Sequence, residues 1–194
     1  ISLLWLSACS DPAPDQAIIA QFAQTDLADL ESLIIERADH YEVESVSVTI
    51  MSDDAALFVY HGQSSETGLM QAASLSKPVA AAGILMFMER ESIDIAADIR
   101  DRFRSIDIFS IEGGDQPLTV RELLSHTAGA TQGGYPGYRR GTALPTSAGI
   151  ITNPPSRLVS AVELSLPKGA FSYAGGGYQL AQLLVEDMSG QPFD

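Results

Sequence analysis

"QAASLSKPVAAAGILMFMERESID", residues 71–94, decides how the rest of the chain is read. Eleven residues of the chain are basic and nine of these are arginine. One of the two lysines is Lys77, three positions after Ser74, at the mouth of a nearly all-apolar run. Val79 to Met88 is apolar on every side, which predicts a helix buried in the middle of a domain. Pro78 is tolerated only near a first turn, so the helix is expected to start close to Ser74–Lys77. On such a helix Ser74 and Lys77 share a face, one turn apart. Arginine keeps its proton in a protein, whereas a desolvated lysine gives it up. A neutral amine there would take the hydroxyl proton and make Ser74 a nucleophile, and a helix N-terminus favours the negative charge of acyl transfer. The alternative is structural: Ser74 as an N-cap, and Lys77 snorkelling out of a helix start.

Working outward, Ile18, Phe22, Leu27, Leu30, Leu33 and Ile34 recur at mostly helical spacing and predict a helix from Ala17 to about His40. "SVSVTIM" at 45–51 alternates and is β-branched, so it reads as a strand. Asp53-Asp54 makes a turn, and "ALFVYHG" at 56–62 is the return strand of a hairpin. Downstream, "TVRELLSHTAG" at 119–129 opens with a Thr119–Glu122 capping box and is expected to stop at Gly129. A Gly-, Tyr- and Pro-rich loop fills 130–155, a length that often frames a site. A short helix is expected at 156–164, and an amphipathic one from about Gly176 to Met188, terminated by Gly190.

The chain has 194 residues, 45% of them apolar and 19% charged, which is the composition of one globular domain with a core. A formal charge of −14 repels a phosphate backbone, so nucleic acid is excluded as a partner. The three histidines show no metal-ligand spacing, there is no C-x-x-C, and no cofactor is expected. No G-x-S-x-G elbow is present, so an α/β-hydrolase triad is unsupported. The N-terminus, "ISLLWLSACSDPAPDQ", is too short and mixed to span a bilayer but suits the back half of a secretory signal. Residues 1–8 read as a signal remnant and 9–16 as a tether. The domain proper reads as 17–194. The alternative for this segment is a buried strand carrying a free thiol.

"FSYAGGGY" brings a second chemical group. A tyrosine just before three glycines and a helix is unusual for a linker, and Tyr173 would bring a phenol to the Ser–Lys pair as a proton acceptor and donor. A cradle for phosphate on Gly175–Gly177 is the weaker reading, because no lysine or strand context accompanies it. His126, in "SHTAG", reads as a structural hydrogen-bonder. Tyr135 and Tyr138 are candidates to line a substrate cleft, and Lys168 reads as a turn residue.

Taken in order and separation, "AASLSKP", "LTVRELLSHTAG" and "LPKGAFSYAGGGYQLAQLLVEDMSGQPF" resemble the serine β-lactamase and penicillin-binding-protein superfamily. The likeness is to its class C-like branch, which also holds D-alanyl-D-alanine carboxypeptidases and β-lactamase-like esterases, and it spans about residues 40–194. It implies an α+β fold with an antiparallel sheet flanked by helices and an all-helical lobe. It also implies Ser74 as acylated nucleophile, Lys77 as its partner and Tyr173 in the place of the tyrosine of a Y-x-N motif. "LSAC" at 6–9 resembles a bacterial lipobox, which makes Cys9 the lipidated residue and the location the cell envelope, with the membrane reached only through that anchor. The expected substrate is a small molecule or a peptidoglycan-like one.

The chain departs from that pattern twice. Gly175 stands where the family's motif has its amide-contacting asparagine, so a hydrogen bond that reads a substrate amide is missing and ester hydrolysis is favoured. A K-T-G or H-x-G strand is also lacking in 174–194, so a fragment clipped at both ends is expected, without the closing strands. A non-catalytic envelope protein that binds peptidoglycan or a partner through the same cleft is the alternative.

Overall fold

The computed structural model describes residues 27–51, 56–139, 141–155 and 158–193. Cys9, the tether, the start of the first expected helix and the Asp53-Asp54 turn lie outside them. The chain divides into two compact units between Gln71 and Ala72.

In the first unit, helix α1 (Leu27–His40) precedes strands β1 (Ser45–Met51) and β2 (Ala56–Gly62). The strands pair antiparallel in register from Ser45↔Gly62 to Met51↔Ala56, as the β-branched alternation of β1 predicts. Val59 is fully buried, and Leu30 and Ala38 of α1 are buried with it in this unit. The end of α1 is tied to β2 by His61 Nε2 and Asp39 Oδ1, 2.8 Å apart.

The second unit is helical. A single 3₁₀ turn (Ala73–Leu75) leads into α2 (Ser76–Arg90), and α3 (Val120–Leu124), α4 (Ser147–Thr152) and α5 (Gly175–Ser189) follow. Helix α5 is the hub, packing on α2, α3 and α4 through buried Leu180, Ala181, Leu183 and Leu184. It ends as expected at Gly190, in the left-handed conformation at φ 69°. Buried Asp187 on α5 accepts hydrogen bonds from the backbone N–H groups of Arg104 (2.7 Å) and Ser105 (3.0 Å) and from the Ser105 hydroxyl. A hairpin with its helix and a helical unit together make an α+β chain.

Four expectations are corrected. Helix α2 is apolar all round but is buried only along one stripe: Ile84 and Met88 are buried, whereas Val79 and Met86 are 76% and 70% exposed. Burial depends on what packs against each face, and the helix's own composition does not carry that. No helix forms over 158–164, where the backbone is irregular. There Val162 and Leu164 alternate inward, with Val162 N–H donating to Ile151 O and Leu164 N–H to Glu112 O. The spacing Val162–Leu164–Leu166 has a period of two, which suits an extended segment. The 130–155 loop contains a helix, α4, capped by Thr146 and anchored by buried Ile151. Finally, α3 stops at Leu124, well before Gly129, because His126 takes the left-handed conformation at φ 59°.

Candidate active site

The 3₁₀ turn presents Ser74, and the first turn of α2 presents Lys77 and tolerates Pro78 as its third residue. Ser74 does not cap the helix: Leu75 occupies that position, with no side-chain capping bond. The serine oxygen is engaged elsewhere. Tyr173, just before α5, donates its hydroxyl to Ser74 Oγ at 2.8 Å, and Lys77 Nζ donates to the same oxygen at 3.3 Å. Three residues singled out from sequence therefore converge on one oxygen atom. The preceding residue, Ala73, has φ 45°, a left-handed conformation that strains a residue with a Cβ. Such outliers persist where surrounding structure holds them, often at functional sites.

Lys77 lies in the first turn of α2. It is half-buried, and Nζ lies 5.1 Å from the centre of the Tyr173 ring and 5.5 Å from that of Tyr178. Aromatic faces attract a cationic side chain placed over them. The Tyr173 phenol feels the result. Burial raises its pKa, but hydrogen bonds with Lys77 and Ser74 and the charge of Lys77 outweigh that and hold it below the ordinary value of 10.

His126 supports the tyrosine without touching Ser74. Its Nδ1 accepts the Ala174 N–H at 3.1 Å, so the proton of the neutral ring sits on Nε2. The ring packs against Tyr173 at 4.4 Å, Tyr178 at 5.3 Å and, in a T-shaped contact, Phe171 at 5.9 Å, all between centroids. Burial first, and Lys77's charge second, push its pKa below 6.5. Tyr178 escaped the reading of the sequence. It donates its own hydroxyl to Leu124 O at 3.2 Å and forms the second wall around Lys77. Its signal was an aromatic at the opening of α5, five positions after Tyr173.

The glycine run is no anion cradle. The N–H of Gly175 donates to Gly133 O at 2.9 Å and that of Gly176 to Gln132 O at 2.8 Å, so loop carbonyls occupy the donors. A Cβ at position 175 would stand 3.1 Å from Gly133 O and 3.3 Å from Tyr135 Cε2. Tyr135 is thus brought against Gly175. Its buried hydroxyl has no hydrogen-bond partner among the described residues. Burial, with Tyr138 nearby, pushes this phenol up to about 12. Tyr138 itself is 40% exposed. Lys168 is more than a turn residue: its ammonium pairs with Glu122 Oε2 at 3.2 Å and donates to Pro117 O. Among the described residues, no three His, Cys, Asp or Glu side chains gather as metal ligands would.

Against known proteins, the family model described as Beta-lactamase matches residues 30–194. Among solved structures, a β-lactamase candidate from Bacteroides dorei DSM 17855 superposes with a TM-score of 0.58 at 22% identity. That match covers 87% of this chain and 48% of the other. SurE superposes with a TM-score of 0.53 at 19% identity, covering 86% of this chain and 36% of its own. At such identities the likeness is one of fold. The chain spans about half the length of the first structure and about a third of the second. No curated protein matches the chain.

Proposed function

The chain belongs to the β-lactamase family, and from that premise we propose that it carries the nucleophile of a serine hydrolase working through an acyl-enzyme on Ser74. One observation carries the reading: Ser74 Oγ lies 2.8 Å from the Tyr173 hydroxyl and 3.3 Å from Lys77 Nζ. The sequence alone suggested Lys77 as the base. The lowered phenol pKa favours Tyr173 in that role instead, with Lys77 beside it as the group whose hydrogen bond and charge lower that pKa. The ionised phenol accepts the Ser74 proton as Oγ bonds to the substrate carbonyl carbon. The tetrahedral oxyanion collapses, the bond to the leaving group breaks, and Tyr173 returns the proton to that group. In deacylation the phenolate takes a proton from water, hydroxide adds to the acyl carbon, and Ser74 leaves with its proton restored.

Esters are favoured over amides and β-lactams, because Gly175 offers no side-chain donor to a substrate amide. The test treats the full-length protein with a fluorophosphonate and with a fluorescent penicillin and maps adducts by mass spectrometry. An adduct on the Ser74 peptide, lost in Ser74→Ala, is expected. Folded protein without one discards the mechanism. A p-nitrophenyl ester, nitrocefin and a D-Ala-D-Ala peptide compared side by side separate the three substrate classes. The envelope location rests on the sequence: Cys9 is proposed as the lipid attachment point, and Cys9→Ser is expected to move the protein from the membrane to the soluble fraction.

A further inference from the structure

Residues 166–174 form no helix or strand, yet they carry the phenol that meets Ser74 Oγ at 2.8 Å. Something outside the segment has to fix that hydroxyl in place. His126 meets the segment at three points. Its carbonyl accepts the Ser172 N–H at 2.9 Å and its Nδ1 accepts the Ala174 N–H at 3.1 Å, so one residue holds the amides before and after Tyr173. Its ring lies 4.4 Å from the Tyr173 ring between centroids, tilted by 35°. Thr127 and Gly129 continue the contact, their carbonyls accepting from Gly169 at 2.9 Å and Leu166 at 3.0 Å.

His126 does this from the left-handed conformation, φ 59°, which glycine adopts at no steric cost. A histidine there keeps two things that glycine lacks: an acceptor aimed at the Ala174 N–H and a flat ring behind the phenol. What they fix is the phenol's place between two partners, Ser74 Oγ and the Lys77 ammonium. Against the upward push of burial, those two partners hold the phenol's pKa below 10. A phenol that swings away from them loses reach and acidity together.

We propose that His126 is the positioning residue of the Ser74 site: it clamps the backbone on both sides of Tyr173 and backs its ring, and so holds the phenol on Ser74 Oγ and beside Lys77. The proposal rests on the acyl-enzyme reading above and adds to it a residue that acts only through Tyr173.

The experiment measures kcat and KM for p-nitrophenyl acetate on the full-length protein above pH 7, where the buried imidazole is neutral, with fluorophosphonate labelling of Ser74 in parallel. Wild type is compared with His126→Asn and His126→Gly, both of which accept a left-handed backbone. Asparagine keeps an acceptor for the Ala174 N–H but no ring, and glycine keeps neither. The expected loss of kcat is about tenfold for asparagine and about 10²-fold for glycine, the scale of a misplacement of about 1 Å. KM stays near the wild-type value, because the lost alignment matters in the transition state. The pH limb of kcat/KM moves upward in the same order as the phenol leaves Lys77. A merely structural role would lower the folded fraction and leave that limb where it is. Wild-type kcat in a folded variant overturns this proposal alone, and so does a lower kcat with an unmoved limb while Ser74 still labels. Either variant decides the matter where the other does not fold. Folded wild type that neither labels nor hydrolyses the ester overturns the acyl-enzyme reading, and this proposal with it.

Discussion

Lys77 sits against two phenol faces and one hydroxyl. Under the proposed mechanism its charge sets the pH at which Tyr173 becomes a base. Because the phenol is held below 10, kcat/KM for an ester should rise with pH through a single limb centred below 10. Lys77→Met removes the charge and should move that limb upward, whereas Tyr173→Phe should lower kcat/KM by about 10²–10⁴-fold at every pH. A limb unmoved in Lys77→Met would return the lysine to a structural role. His126 supplies a second pH effect, this time on stability. Its folded pKa lies below the unfolded 6.5, so the unfolded chain binds more protons in the window just below 6.5. Stability is therefore full above that value and falls as pH drops through it toward the folded pKa. Lys77, Tyr173, Tyr178, Phe171 and the Ala174 N–H face the ring, and Lys77 is the only cation among them. Thermal midpoints between pH 7.5 and 5 should fall more steeply in wild type than in His126→Asn, which accepts a hydrogen bond, tolerates a left-handed backbone and does not titrate. Equal slopes would remove His126 from the account. The Ser74–Lys77 pairing was legible because it is local. Tyr173 lies 99 positions from Ser74, so no local spacing places it there; the unusual aromatic before a glycine run, and then the resemblance, pointed to it.

At the scale of elements, the signals that held are those that a few consecutive residues settle among themselves. The hairpin follows from alternation, and α3 begins where the capping box says. Thr119 Oγ1 accepts the Glu122 N–H at 3.2 Å, and Glu122 Oε2 accepts the Thr119 N–H at 3.0 Å. Lys168 then pairs with the same carboxylate, which ties the segment before α5 to the start of α3. Thr119→Ala should cost about 1 kcal/mol, the usual loss for an N-cap. It should lower the thermal midpoint by roughly 2–8 °C, measured by circular dichroism. A change below the error of that measurement would mean that Lys168 and the buried Val120 and Leu123 hold the helix without its cap. The signals that failed are those that needed a partner from elsewhere. The end of α3 was assigned to Gly129 because glycine is the usual left-handed stop, yet His126 stops it earlier, its ring held by Ala174 and the tyrosines. A short helix was expected at 156–164, but over 158–164 the inward-facing side chains and backbone bonds belong to an extended segment that meets Glu112 and Ile151.

For the whole molecule the informative comparison lies within one helix. Met86 and Met88 are both in α2, two positions apart, with the same side chain and the same local propensity. Met88 is fully buried in the core of the second unit with Ile84 and Leu184, whereas Met86 is 70% exposed, on a face shared with Val79. The sequence presented this helix as apolar on every side, and composition alone cannot say which side has a core to meet. Replacing each methionine by alanine asks the question energetically. Met88→Ala should cost about 2–5 kcal/mol, the lost transfer energy plus the cavity left behind. Met86→Ala should stay within about 0.5 kcal/mol, as surface substitutions do. Denaturant midpoints with unchanged slopes read the difference directly. In the full-length protein, equal and large losses at both positions would mean that a further part of the molecule covers the Val79–Met86 face. The Ser74 turn, one step before that helix, would then be held from both sides.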